Sequence, residues 1–165
     1  MNEVHLINTK QNSINRKLNI KLAIYLAITV IVVIFIFSNS LQNRSASSAM
    51  STGVADFLKP ILDLLGITTD EGFHGLLRKL AHAFEFAVLG VCSGGIMWCW
   101  AEKQGRYHIA SAVLFPFIVA VMDEFIQSFS DRASEVRDVL IDFGGALVGI
   151  AVLSLVKYLI IRKTK

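Results

Sequence analysis

Four apolar runs, at residues 18–37, 80–100, 109–129 and 139–161, restrict what this chain can fold into more than any other feature. Each approaches or exceeds the ~20 residues that carry an α-helix across about 30 Å of hydrocarbon. The fold class they predict is all-α: a polytopic membrane protein with four transmembrane helices. The 54% hydrophobic content and mean hydropathy of +0.58 exclude an ordinary soluble globule. The 165 residues accommodate one membrane domain, 18–161, between a cytoplasmic tail at 1–17 and another at 162–165.

The segments between the runs have their own signatures. Residues 1–15 are polar and aperiodic and read as a flexible tail. Arg16, Lys17 and Lys21 then precede the first run, which is longer than the about 7–15 residues of a signal h-region and has no small-residue cleavage site close behind it, so it reads as an uncleaved span. Ser38 to Thr52 reads as a loop. Val54, Phe57, Leu58, Ile61, Leu62 and Leu65 recur at helical spacing over too short a stretch to span, which predicts a short interfacial amphipathic helix bent or broken near Pro60. Asp70 and Glu71 are helix-start residues, and Phe73, Leu76 and Leu77 continue the period, so the second helix is expected to begin outside the hydrocarbon. Glu102 to His108 forms a short basic turn. Pro116 is expected to kink the third helix. Gly90-xxx-Gly94 and Gly145-xxx-Gly149 are small-xxx-small patterns that permit close helix contact. Cys92 and Cys99 share one predicted helix with about 10 Å of rise between them, which excludes a disulfide and leaves them as packing groups.

A net charge of +3 and a pI near 9.0 would suit a nucleic-acid binder. The Lys and Arg residues, however, sit at the ends of apolar runs without aromatic interleaving, so topology explains them and no nucleic-acid partner is expected. With the N-terminus inside, ten of the sixteen Lys and Arg fall on the cytoplasmic side and six outside. The positive-inside rule then places both termini in the cytoplasm. Tyr25, Trp98, Trp100, Tyr107 and Tyr158 fall at the predicted inner boundary, as membrane-interface aromatics do. The hairpin between the third and fourth spans therefore faces outward.

That hairpin and its flanks carry the costly residues. Asp123, Glu124 and Gln127 lie in the third span, Asp138 and Asp142 in the fourth, and Asp131, Arg132, Glu135 and Arg137 near the turn. In the second span Arg78, Lys79, His82 and Glu85 fall on one helical face. Ionisable residues inside spans mark functional sites by default, whereas Arg78, Lys79, Asp131, Glu135 and Arg137 are also what a short turn at a membrane surface carries in any case. Counted from the span ends, Glu85, Asp123 and Asp142 lie at similar depth, so three helices are expected to supply acidic groups to one layer. Asp138 and Asp142, at i and i+4, repel one another and call for a cation or a proton between them. His82 with Glu85, Asp123, Glu124, Asp138 and Asp142 offers a donor set that a divalent cation accepts. The spacing does not require one, because Arg78, Lys79, Arg132 and Arg137 could neutralise the carboxylates as a salt-bridge network.

The ordered combination Arg78-Lys79-xx-His82-xx-Glu85, Asp123-Glu124-xx-Gln127-x-Phe129-xx-Arg132 and Asp138-xxx-Asp142-xx-Gly145-xxx-Gly149 resembles the VanZ-like membrane protein family, and Ser38-Asn39-Ser40 resembles its serine-rich ending of the first helix. The resemblance covers about residues 37–149. It departs at Asp142, where the family usually has Asn, and at Phe86, where an aromatic such as Tyr is common. It implies a bacterial integral membrane protein, and its named member is associated with resistance to the glycopeptide teicoplanin.

Two functions are expected from these residues. In the first, the protein is a membrane enzyme that acts at the outer leaflet on a lipid or lipid-linked envelope precursor. Arg78, Lys79, Gln127 and Arg132 would bind the anionic substrate, while His82, Glu85, Asp123, Glu124, Asp138 and Asp142 would supply acid–base chemistry. In the second, the same charges form a static network that binds a headgroup, drug or partner without catalysis. A transporter or channel is disfavoured, because Lys157 is the one charge in the inner halves of the spans and no polar path crosses the bilayer. The sequence carries no signal of oligomeric state.

Overall fold

Asn2–Ser40 forms the first helix, α1, which at 39 residues rises about 58 Å, nearly twice the hydrocarbon thickness. The computed structural model describes residues 2–42, 52–54, 56, 57, 59, 60, 62, 64, 70–129 and 135–163. Two expectations for this region are corrected. Residues 2–15 continue the helix rather than forming an irregular tail, and Ser38, Asn39 and Ser40 belong to its last turn rather than to a loop. Their polarity hid this: the segments lack the apolar period that marks a helix in sequence, yet nothing in them breaks one.

The described residues between 52 and 64 are helical, with Leu62 buried and Val54, Phe57 and Leu64 exposed. Pro60 is itself helical, so the expected break does not fall on it. Leu58, Ile61 and Leu65 lie outside the described residues.

The second helix, α2, runs over Glu71–Gln104. Its start is fixed as expected: the Asp70 side chain accepts a hydrogen bond from the Phe73 N–H at 2.8 Å. Its end is set by Gly105, whose φ of 72° is left-handed and whose N–H reaches the Ala101 carbonyl at 2.7 Å. The third helix, α3, covers Ile109–Gln127, and the fourth, α4, covers Val136–Lys163. Among the described residues these four helices are long and apolar enough to cross a membrane, and no strand is present.

Side-chain contacts show successive helices to be antiparallel and give their register. Gly95 of α2 faces the Tyr25 ring of α1, and Lys103 of α2 hydrogen-bonds Asn19 of α1. Phe117 of α3 packs edge-to-face on Phe143 of α4, with ring centroids 5.1 Å apart. It follows that α2 and α4 run parallel, and they touch along a seam of small residues. A Cβ at Gly90 would collide with the Ala146 carbonyl, one at Gly145 with the Ala83 carbonyl, and one at Gly149 with the Ala87 carbonyl. The two small-xxx-small patterns are thus halves of one backbone contact, in which dispersion replaces the hydrophobic effect that lipid cannot supply.

Ile36, Phe86, Leu89, Val119, Ala120 and Ala146 form the buried apolar cluster where all four helices meet. The surface is inverted relative to a soluble protein: Ile31, Phe84 and Leu140 are each more than 60% exposed, which suits contact with acyl chains. At the end of the bundle that holds Gly105, Lys157 approaches Glu102 at 3.4 Å and the Trp98 ring at 5.8 Å, and Trp98 packs on Tyr107. The charge of Lys157 is therefore matched. Cys92 and Cys99 are buried free thiols, as their spacing requires.

Pro116 is buried within α3 and the helix continues through it. Proline has no N–H for the carbonyl four residues earlier, that of Ala112. The Ser93 hydroxyl of α2 donates to this carbonyl at 2.9 Å, so a neighbouring helix satisfies the group that the proline leaves open.

Two measurements of thermal stability in detergent check this packing. Gly145→Ala and Gly149→Ala should each cost more than about 2 kcal/mol, because the added methyl meets backbone that cannot yield, whereas Gly144→Ala, with nothing within 4 Å, should be neutral or gain up to about 1 kcal/mol. Ser93→Ala should cost about 1 kcal/mol in the natural chain and less in a Pro116→Ala background, where the N–H restored at position 116 serves Ala112. Equal costs in the two backgrounds would remove the link between Ser93 and Pro116.

Candidate functional site

At the end of the bundle opposite Lys157, α1 and α3 finish while α2 and α4 are in their opening turns. The helical period of α3 builds the deepest part of the site. Its buried stripe runs Ala112, Pro116, Val119, Ala120, Asp123, Glu124 and Gln127, so the face that packs as an apolar ridge lower down ends in three polar residues. On α4 the buried stripe is Asp142, Ala146, Gly149 and Ile150. The same face that approaches α2 through glycine therefore carries Asp142 one turn before the seam.

Asp123 is fully buried. Ser40, also fully buried at the end of α1, donates its hydroxyl to Asp123 Oδ1, and Gln127 Nε2 donates to Asp123 Oδ2 at 2.8 Å. Both donors fix the orientation of the carboxylate. Glu124, 4% exposed, accepts the backbone N–H of Glu135 at 3.0 Å, which ties the end of α3 to the approach to α4. Lys79 meets Asp138 at 2.6 Å, and Asp138 lies in the first turn of α4, where the helix dipole favours a carboxylate.

One oxygen each of Asp123 and Asp142 and one imidazole nitrogen of His82 lie within 4.8 Å of one another. The expected Asp138–Asp142 pair is thus resolved by division: Asp138 is matched by Lys79 at the rim, and Asp142, one turn deeper, faces His82 and Asp123. A cavity of about 30 Å³ lies beside them, lined by Arg78, Lys79, His82, Glu124, Gln127, Asp138, Ile141 and Asp142. Of the three acidic groups that depth counting placed in one layer, Asp123 and Asp142 come together, and α2 contributes His82 rather than Glu85.

Glu85 is placed differently from the others. It is half-buried on the α1 side of α2, where Asn39 Nδ2 donates to its Oε1 at 3.1 Å, and it does not line the cavity. Gln42 in turn donates to Asn39 at 3.4 Å. Arg137 and Glu135 are exposed, while Asp131 and Arg132 lie outside the described residues. The residues that sequence reasoning did not assign to the site are Asn39 and Ser40. Their signals were the family resemblance of Ser38-Asn39-Ser40 and position, two hydrogen-bonding side chains closing a long apolar run, and their place in the site becomes legible only if the helix is carried past Phe37.

Chemically the arrangement combines a cationic rim, a buried acidic floor and one imidazole. It can hold an anion at Arg78 and Lys79, and it can move a proton or hold a cation at His82, Asp123 and Asp142.

The VanZ/LLP1 family profile matches residues 23–157. The uncharacterized membrane protein YwnJ of Bacillus subtilis (strain 168) is 34% identical over 85 residues, 52% of this chain and 52% of that protein, so the match spans about half the length of this curated relative. No solved structure matches the chain. With four helices of membrane length and the family pattern extending over most of the sequence, the chain is a multi-pass membrane protein that belongs to the VanZ/LLP1 family.

Proposed function

We propose that this protein sits in the cell membrane with both termini in the cytoplasm, and that it binds and chemically modifies the anionic headgroup of a lipid or lipid-linked cell-envelope component at the outer leaflet. The observation that carries this reading is the cavity in which Arg78 and Lys79 border the half-buried His82 and the buried Glu124 and Asp142. A headgroup phosphate or carboxylate approaching from the interface meets the cations first. Lys79 is 35% exposed at its side chain and can exchange its bond to Asp138 for one to the substrate. Arg132, near the same hairpin, would add a third cation. The group to be cleaved or transferred then faces His82 and the carboxylates, which act as general acid and base. The cavity admits only a small group, so the acyl part of such a substrate stays in the bilayer.

The family's association with teicoplanin resistance suits this reading, since glycopeptides act on precursors displayed at the outer surface. A second reading has a specific observation in its favour. Lys79 with Asp138, and Ser40 and Gln127 with Asp123, already satisfy one another, which a static binding site also requires.

Variants separate the two. In a teicoplanin-susceptible host the natural chain should raise the inhibitory concentration and alter one lipid or lipid-linked species in membrane extracts. His82→Ala and Asp123→Asn should each reduce the altered species by about 10²–10⁴-fold at unchanged protein level. Arg78→Ala should weaken capture of anionic-lipid vesicles as well. Unaltered extracts from the natural chain, together with vesicle capture that Arg78→Ala abolishes, would leave the static binder and sink catalysis.

A further inference from the structure

Asp142 lines the cavity near the start of α4. It is 2% exposed on a membrane-spanning helix, yet its carboxylate makes no hydrogen bond or ion pair among the described residues. A buried carboxylate without a partner is costly to ionise, more so in a membrane, so it either keeps its proton or is met by a counter-charge that it faces. What it faces is the cavity, Asp123 and the His82 imidazole. The nearest lysine of the rim, Lys79, is engaged by Asp138.

We propose that His82, Asp123 and Asp142 bind one divalent first-row cation. Three ligand atoms no more than 4.8 Å apart share a point within about 2.8 Å of each, so inward movement of about 0.6 Å per side chain gives bonds of first-row length. The donor set is one imidazole and two carboxylates. This suits Mn²⁺ or Zn²⁺ better than Ca²⁺, which takes six to eight oxygens. Three protein ligands leave coordination positions open, and these face the cavity of about 30 Å³, more than the about 10–15 Å³ that one water needs. Ser40 and Gln127 would act as the outer hydrogen-bond partners that orient a ligating carboxylate, here Asp123. Two carboxylates and a dication carry no net charge, which answers the burial of Asp142.

The inference uses the same cavity as the proposed reaction but does not depend on it, since the metal alone is the probe. The full chain, purified in detergent and stripped with a chelator, is titrated with Mn²⁺ and followed by electron paramagnetic resonance. One Mn²⁺ should bind per chain, with nitrogen hyperfine coupling from His82. His82→Ala should remove that coupling, and His82→Ala and Asp142→Asn should each weaken binding by at least about tenfold. Glu102→Gln, at the far end of the bundle, should leave it unchanged. The metal-free Asp142→Asn chain should unfold at the same temperature as the metal-free natural chain or higher, since a neutral amide is cheaper to bury, and it should lose the upward shift that Mn²⁺ gives the natural chain. Absence of saturable binding up to about 1 mM Mn²⁺ would overturn the site. So would binding in the natural chain that lacks nitrogen coupling, a measurement that needs no variant to fold.

Discussion

The backbone contact between α2 and α4 is the constraint on which the rest of the structure depends. Gly145 against Ala83, Gly90 against Ala146 and Gly149 against Ala87 bring two parallel helices closer than any side chain would allow. That closeness fixes the register of the turns before it, so Lys79 meets Asp138 and His82 meets Asp142. The site is in this sense an extension of the seam, one turn further toward the helix starts. α1 and α3 then close it from the other side with Ser40, Asp123 and Gln127.

Polarity in this protein is arranged by depth as much as by direction. The apolar cluster around Phe86 and Ile36 lies immediately below the acidic layer, where it seals the floor of the site from the rest of the bundle. Serine hydroxyls on the helices below the site are matched locally, Ser93 to the Ala112 carbonyl and Ser154 to the Ile150 carbonyl at 2.8 Å. Asp142 is the departure from that economy.

Much of this was legible in the residues themselves. Length and hydropathy give the four helices that are long and apolar enough to cross a membrane, because a bilayer accepts few alternatives to a helix of that length. The approach of Asp123 to Asp142 follows from counting depth along helices whose direction alternates, whereas the same count put Glu85, not His82, beside them. What the residues do not disclose is which helices touch. That α2 and α4 are parallel neighbours rests on backbone shape at Gly90, Gly145 and Gly149, and a small-xxx-small pattern does not name its partner. Glu85 shows the same gap: it shares a helical face with His82, yet it turns to Asn39 because α1 passes on that side. The extension of α1 at both ends was illegible for the opposite reason, since polar residues such as Asn15 and Asn39 are neutral toward a helix that tertiary contacts or simple continuity complete.

The hydroxyl of Ser40 on Asp123 also bears on how such a chain is made. A membrane protein enters the bilayer in order of synthesis, so α1 arrives before either of its polar partners exists. Asp123 enters with Ser40 already in place, but Asp142 comes last and must find α2 already docked against α1. The carboxylate that is hardest to bury is thus threaded into a slot the earlier helices have prepared. Synthesis from N- to C-terminus converts a site shared by four helices into a sequence of small, separately tolerable insertions.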